Sequence, residues 1–125
     1  TVPLDRIDFI ECAQDLIYQE YRGIDLDEYF NQVVGVSVNI GAKSEKIHIK
    51  AFYPAAAYIE SKPLHGSQKI IENNNDSIIF EYNLILNYEF ETILLAYLDE
   101  CEIIKPIYLR QKLHKRAVKI LENTK

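Results

Sequence analysis

Polar and apolar residues alternate strictly along the segment EKIHIKAFY in the middle of the chain. Ile47 and Ile49 fall on one side of an extended backbone, and Lys46, His48 and Lys50 fall on the other. Successive side chains of a β-strand point to opposite faces of its sheet. The segment is therefore predicted to be a half-buried strand, with His48 at the surface.

Prolines and polar turns divide the next residues into a helix and three strands. Pro54 suits the first turn of a helix, and AAAYIESK continues that helix until Pro63 stops it. QKIIE and IIFEYNLIL are predicted to pair as a hairpin across NNNDS, a turn whose residues tolerate a left-handed backbone. CEIIK is predicted to be the last strand, and Pro106 ends it.

Three segments carry apolar residues at helical spacing. Asp25 is expected to cap a first helix, Glu28 to complete a capping box and Gly35 to end the helix, with a short strand, VSVNI, after it. Asn87 is expected to cap a second helix, whose apolar stripe is Phe90, Ile93, Leu94, Tyr97 and Leu98. The stripe of the last helix is Leu109, Leu113, Ala117, Ile120 and Leu121.

From residue 45 onward the predicted order is strand, helix, strand, strand, helix, strand, and then one more helix. This β-α-β-β-α-β order predicts an α+β fold of the ferredoxin-like type. Such a fold has an antiparallel sheet covered on one face by two helices. An N-terminal helical segment and a C-terminal helix are expected to flank it.

Charge is distributed unevenly along the 125 residues. Residues 1–104 hold seven Lys/Arg and 18 Asp/Glu, a net of -11, whereas residues 105–125 hold seven basic residues and one acidic residue, a net of +6. Two interpretations of this basic segment stay open: phosphate contacts to nucleic acid, or the solvated face of a helix. The residues concerned are Lys112, Lys115, Arg116 and Lys119.

Composition narrows the class of protein. There is no run of about 18 apolar residues and no secretory leader, so we expect a soluble, cytoplasmic protein without membrane contact. Cys12 and Cys101 are too few for a disulfide framework and are expected to be reduced thiols. The chain begins with Thr1 and contains no Met, which leads us to expect a fragment of a longer protein.

The strongest candidate for chemistry is the H-x-S-Q turn formed by His65, Ser67 and Gln68. A histidine beside a serine suggests a base and a nucleophile, but no third, orienting group is identifiable. The alternative is that the three side chains fix the turn and join the preceding helix to the sheet through hydrogen bonds. The remaining histidines, His48 and His114, have no zinc-ligand spacing, so no metal, no cofactor and no enzyme activity are expected.

Four segments in a fixed order resemble the C-terminal part of WYL-domain transcriptional regulators. They are LDRI at residues 4–7, YFNQVVGV at 29–36, AAAYIESKPLHGSQ at 55–68 and PIYLRQKL at 106–113. LDRI resembles the last strand of the WYL domain, and the rest resembles the WCX extension. The resemblance therefore implies that residues 1–35 are the end of a WYL domain with a helical linker, and that residues 36–125 are a WCX domain.

The resemblance also implies a function. Members of this family typically bind DNA through an N-terminal helix-turn-helix and sense a ligand through a central Sm-like WYL domain. Some members respond to single-stranded nucleic acid, and several form dimers through the C-terminal region. This chain would be the regulatory, dimerising part, with the H-x-S-Q turn and Arg110 of the P-x-x-L-R pattern as candidate effector or interdomain contacts. Leu98 departs from the pattern, because the family often has a helix-ending glycine there. A free-standing ferredoxin-like module that binds a small molecule is the alternative function.

Overall fold

The computed structural model describes residues 3–20, 22–23, 25–37 and 41–125. A sheet of four strands and several helices form the fold, so the predicted α+β class is confirmed. The elements are α1 Leu26–Phe30, β1 Glu45–Phe52, α2 Ala55–Ser61, β2 Lys69–Asn73, β3 Ser77–Leu84, α3 Tyr88–Leu95, β4 Cys101–Lys105 and α4 Ile107–Asn123. A 3-10 helix, Leu4–Arg6, precedes them.

All strand pairs are antiparallel, and the strands lie in the order β2-β3-β1-β4. Within the sheet, Ile49 of β1 lies opposite Phe80 of β3 on one side and Ile103 of β4 on the other. These side chains share one face, where they form a single buried cluster with Ile59 of α2, Phe90 of α3 and apolar residues of α4. The alternation in β1 thus sets which face of the sheet becomes the core.

The β2–β3 hairpin closes through a side chain instead of a left-handed backbone. Asn74 Oδ1 accepts hydrogen bonds from the backbone N–H groups of Asp76, at 3.0 Å, and Ser77, at 2.9 Å. No non-glycine residue in the described ranges has a positive φ angle. The predicted hairpin across NNNDS is therefore present, and the Asn74 carboxamide satisfies the turn amides without a left-handed residue.

The first helix is capped as predicted but ends earlier than predicted. Asp25 Oδ1 accepts from the backbone N–H of Glu28, at 3.2 Å, and α1 stops at Phe30 instead of continuing to Gly35. The chain leaves the helix because the Gln32 carbonyl accepts a hydrogen bond from the Ile85 N–H, at 2.7 Å, just after β3.

Residues 34–37 are fastened to the start of α3. Asn87 caps α3 through Oδ1, as predicted, while its Nδ2 donates to the carbonyls of Val34, at 2.6 Å, and Ser37, at 2.9 Å. Glu89 Oε1 accepts from the Ser37 N–H at 3.0 Å, and the hydrogen bonds with Ser37 lower the pKa of Glu89. Gly35 has a φ of +70°, and a Cβ there would lie 2.9 Å from the Glu89 side chain, so this position requires glycine.

The last helix buries only the first part of its predicted stripe. Leu109 and Leu113 lie in the core, but Ile120 is 51% exposed and Leu121 is 62% exposed. A helix of 17 residues is about 25 Å long, and a five-residue strand is about 16 Å long. The final turns of α4 therefore extend beyond β4, on which the helix packs.

Two further expectations are corrected. LDRI forms a 3-10 helix instead of a strand, and no described residue pairs with it as a neighbouring strand would. Tyr97 and Leu98, which were predicted to lie on the apolar stripe of the second helix, instead lie in the turn after α3. That turn closes through a hydrogen bond from the Glu100 N–H to the Tyr97 carbonyl at 3.0 Å. The predicted strand VSVNI falls mainly on residues 38–40, outside the described residues, and Val36 and Ser37 are not in a strand.

Candidate functional site

The H-x-S-Q turn is held together by its own side chains. His65 Nδ1 lies 2.8 Å from Ser67 Oγ and accepts a hydrogen bond from the Ser67 backbone N–H at 3.1 Å. Ser67 Oγ in turn accepts from the backbone N–H of Asn83 in β3, at 2.9 Å. The histidine and serine therefore fix the turn against the neighbouring strand.

Gln68 connects three elements of the fold. Its Nε2 donates to the carbonyl of Ile59 in α2 at 2.9 Å, and its Oε1 accepts from the backbone N–H of Leu64 at 3.1 Å. The same oxygen accepts from the hydroxyl of Tyr82 in β3 at 2.7 Å. Tyr82 is completely buried, and burial raises its pKa. Gln68 thus joins α2 to the sheet by the hydrogen bonding that the sequence suggests.

The remaining nitrogen of His65 faces the chain that follows α1. Because the Ser67 N–H points at Nδ1, that atom is an acceptor and the ring proton resides on Nε2. Burial lowers the pKa of His65, and hydrogen bonds to the backbone at Asn31 and Val33 oppose that shift. His65 therefore lies between the turn and the segment before β1.

The Ser67–His65 distance alone would suit a nucleophile and its base. Ser67 Oγ, however, already accepts a hydrogen bond from the Asn83 backbone N–H. The His65 ring also forms hydrogen bonds with the backbone at Asn31 and Val33. Both side chains therefore have structural bonds that account for their positions. Their role as effector or interdomain contacts stays a prediction.

Arg110 forms an ion pair on the surface. Its Nη2 lies 3.2 Å from the carboxylate oxygen Oε1 of Glu102 in β4. Both side chains are about half exposed, so the pair contributes little to stability. Arg110 and His114 line one wall of a shallow groove of about 310 Å³ between α4 and β4.

The four basic residues of α4 separate into two pairs. Lys112 Nζ lies 2.6 Å from Glu91 Oε1, and Arg116 Nη1 lies 3.5 Å from Glu91 Oε2. Lys115 and Lys119 are exposed and have no ion-pair partner in the described part of the chain. Lys112 and Arg116 thus contact an acid of their own chain, so they do not lie on a freely solvated face.

Glu91 is a central charged residue that sequence reasoning missed. Its position in the first turn of α3 resembles an ordinary solvated acid, yet the residue is only 5% exposed. Close by, the Tyr108 hydroxyl donates a hydrogen bond to Glu45, and the pKa of Tyr108 is raised mainly by burial. A cavity of about 670 Å³ borders these groups. Only the packing of α3 against α4 reveals this cluster.

His48 is half-buried, which corrects the expectation of a surface residue. On the sheet face opposite the core, its Nε2 lies 2.9 Å from Glu81 Oε2 on the neighbouring strand. This hydrogen bond is the main reason that the pKa of Glu81 is lowered. The polar face of β1 is therefore partly covered by its own cross-strand pairs.

Among the described residues, no group of three or more His, Cys, Asp or Glu side chains is arranged to hold a metal ion. No helix in these residues has the length and apolar character needed to cross a membrane. Cys12 and Cys101 are free thiols, and burial raises the pKa of Cys101 to about 11.

Comparison with known proteins gives one family. A family model described as the WCX domain matches residues 43–121, more than half of the chain. A search of curated proteins gives no match. The matched residues contain all four strands and every candidate site residue named above.

Replacing Gln68 with Ala is expected to lower the free energy of unfolding by about 2 to 4 kcal/mol, since it leaves the buried Tyr82 hydroxyl without its partner. In a Gln68→Ala/Tyr82→Phe chain that hydroxyl is absent, so the combined loss should be smaller than the sum of the two single losses. Urea denaturation measures all three variants. Gln111→Ala, on the exposed side of α4, is the matched control, and strictly additive losses would contradict the proposed pairing.

The His65 site is expected to make stability depend on pH. The folded chain holds the pKa of His65 below the ordinary value of 6.5, so near that pH the unfolded chain binds more protons. The free energy of unfolding should therefore be highest above pH 6.5 and fall as the pH drops through it. Urea denaturation across this range should show a flatter profile for His65→Gln, whereas His114→Gln, exposed on α4, should keep the wild-type profile. Identical profiles for wild type and His65→Gln would refute this assignment.

Proposed function

This chain belongs to the WCX domain family, and we propose that it acts as the regulatory C-terminal domain of a WYL-family transcriptional regulator. The family match over residues 43–121 is the observation that carries the proposal. In this proposal, DNA is bound by a helix-turn-helix in another part of the regulator. This domain contributes effector sensing and homodimer formation in the cytoplasm, and residues 1–35 belong to the preceding domain and its linker.

We further propose that the domain is a ferredoxin-like split βαβ fold. The succession β1, α2, β2, β3, α3, β4 supports this, as does a sheet in which β3 lies between β1 and β2. The sheet has one apolar face packed against helices and one face with cross-strand polar pairs such as His48–Glu81. α4 then adds to this unit at the edge strand β4.

A non-catalytic role is part of the same proposal. The residues that most resemble catalytic groups, His65 and Ser67, hold structural hydrogen bonds with the Asn83 amide and with the backbone near α1. A nucleophile needs an exposed lone pair and a base free to take up its proton. The observed bonds favour a turn that positions the segment before β1.

The effector in this proposal is either a nucleic-acid strand or a small molecule. Lys115 and Lys119 are exposed cations of α4 that form no ion pair within the described residues and would contact phosphates, whereas Lys112 and Arg116 contact Glu91. The cavity beside Glu91 favours a small molecule, and it equally supports the alternative of a free-standing small-molecule binding module.

The gene region upstream of the Thr1 codon tests the regulatory proposal. Translation should give a helix-turn-helix followed by an Sm-like WYL domain, whereas a different enzyme or transport domain would overturn the proposal. Light scattering of the full-length product then tests assembly. A mass of twice the protomer would support the homodimer, and a protomer mass throughout the micromolar range would contradict it.

If single-stranded nucleic acid is the effector, its affinity should fall with salt concentration. Each phosphate contact contributes a slope of about 0.7 in log K against log salt, so Lys115→Gln/Lys119→Gln should reduce the slope by about 1.4. Fluorescence anisotropy of a labelled oligonucleotide measures this quantity. Lys69→Gln, exposed on β2, is the charge-matched control, and equal slopes for all variants would remove α4 from the nucleic-acid interface.

A further inference from the structure

Two cations share a single buried carboxylate where α3 packs against α4. Glu91 is almost completely buried, with Lys112 Nζ at 2.6 Å and Arg116 Nη1 at 3.5 Å. The buried charge is the carboxylate, and it is paired with both cations. The side chains of Lys112 and Arg116 are 57% and 29% exposed and line the adjacent cavity, where their positive charge can attract an anion.

Arg116 both contacts Glu91 and lines the cavity. Its Nη1 atom is buried at 3.5 Å from Glu91 Oε2 and makes no hydrogen bond among the described residues, while the side chain as a whole is 29% exposed. The guanidinium carbon is 5.2 Å from the centre of the Tyr88 ring, which holds the group over an aromatic face. A planar guanidinium in this setting is suited to bind a carboxylate or phosphate through two parallel hydrogen bonds.

The cavity next to this cluster has the dimensions of a ligand site. Its volume is about 670 Å³, within the range of about 300 to 1,000 Å³ that small-molecule pockets occupy. Tyr88 and Tyr108 contribute aromatic surface to the lining, and Arg116 and Lys112 contribute positive charge. Glu45 accepts a hydrogen bond from the Tyr108 hydroxyl and also lines the cavity, where it contributes a negative charge. A ligand would thus be oriented with its anionic group toward Arg116 and an uncharged group toward Glu45.

We propose that the cavity between α3 and α4 binds a small molecule that carries one carboxylate or phosphate group and one flat apolar group. Arg116 is the principal anion contact, Lys112 is the second, and the tyrosine rings contact the apolar group. The inference rests on the two partly exposed cations, the tyrosine rings and the cavity that they line, so it stands whether or not the chain is part of a transcriptional regulator.

Two aromatic anions and a neutral isostere test this site. Benzoate and phenyl phosphate should each raise the melting temperature of the chain and shift the backbone amide resonances of Tyr88, Lys112 and Arg116 in an NMR titration. Benzamide has the shape of benzoate without its charge and should do neither. Benzoate carries a carboxylate and phenyl phosphate carries a phosphate on the same aromatic ring, so the anion that binds with higher affinity identifies the preferred acid group.

Variants of α4 separate a defined site from general electrostatic attraction. Arg116→Gln removes one of the two cations and leaves Lys112 paired with Glu91, so the chain should stay folded, which amide spectra verify. It should weaken benzoate and phenyl phosphate by about tenfold or more. Arg116→Lys should recover only part of the affinity, because it restores the charge without the planar fork. Lys115→Gln removes the same charge at an exposed position and should leave the affinity unchanged.

Several results would overturn the site. Equal binding of benzamide and benzoate, equal weakening by Lys115→Gln and Arg116→Gln, or no binding of either anion at millimolar concentration would each do so. Binding of a 5′-phosphorylated single-stranded oligonucleotide through Arg116, with neither small acid binding, would also overturn the small-molecule assignment. None of these results bears on the genomic test of the proposed function, so the two can fail separately.

Discussion

The buried hydroxyl of Tyr82 is the constraint on which one end of the fold depends. A hydroxyl beneath a helix needs a partner, and Gln68 supplies it while also bonding the Ile59 carbonyl of α2. This fixes the turn between α2 and β2, which in turn places His65 against the backbone at Asn31 and Val33. The apparent catalytic pair therefore results from a need to satisfy polar groups at the edge of an apolar core.

Polar side chains that need partners also determine the arrangement at the start of α3 and along α4. Asn87 has both a donor and an acceptor, so it can cap α3 and hold the preceding segment at once. Glu91, the fourth residue of the same helix, is almost completely buried and pairs with Lys112 and Arg116 from α4. Polar residues thus determine how the helices and the incoming chain are arranged, while the apolar cluster of β1 and β3 supplies the cohesion.

Local patterns were sufficient to predict most of the sheet and the helix starts. The alternation of Ile47 and Ile49, and the caps at Asp25 and Asn87, depend on neighbours within a few residues, which is why the structure agrees there. The end of α4 and the burial of Glu91 depend on which elements lie alongside, and no local spacing encodes that. LDRI carried a family resemblance, but a strand needs a hydrogen-bonded neighbour, and the described residues do not supply one.

The segment before β1 also defines where a shortened chain can begin. The family match starts at residue 43, yet the Gln32 carbonyl bonds Ile85, and Val34 and Ser37 bond Asn87. A chain cut at the family boundary would lack Val33, which is buried, and would leave the Ile85 amide and the Asn87 carboxamide without these partners. A shortened chain that keeps these contacts must therefore begin at or before Gln32, ahead of the first residue of the family match.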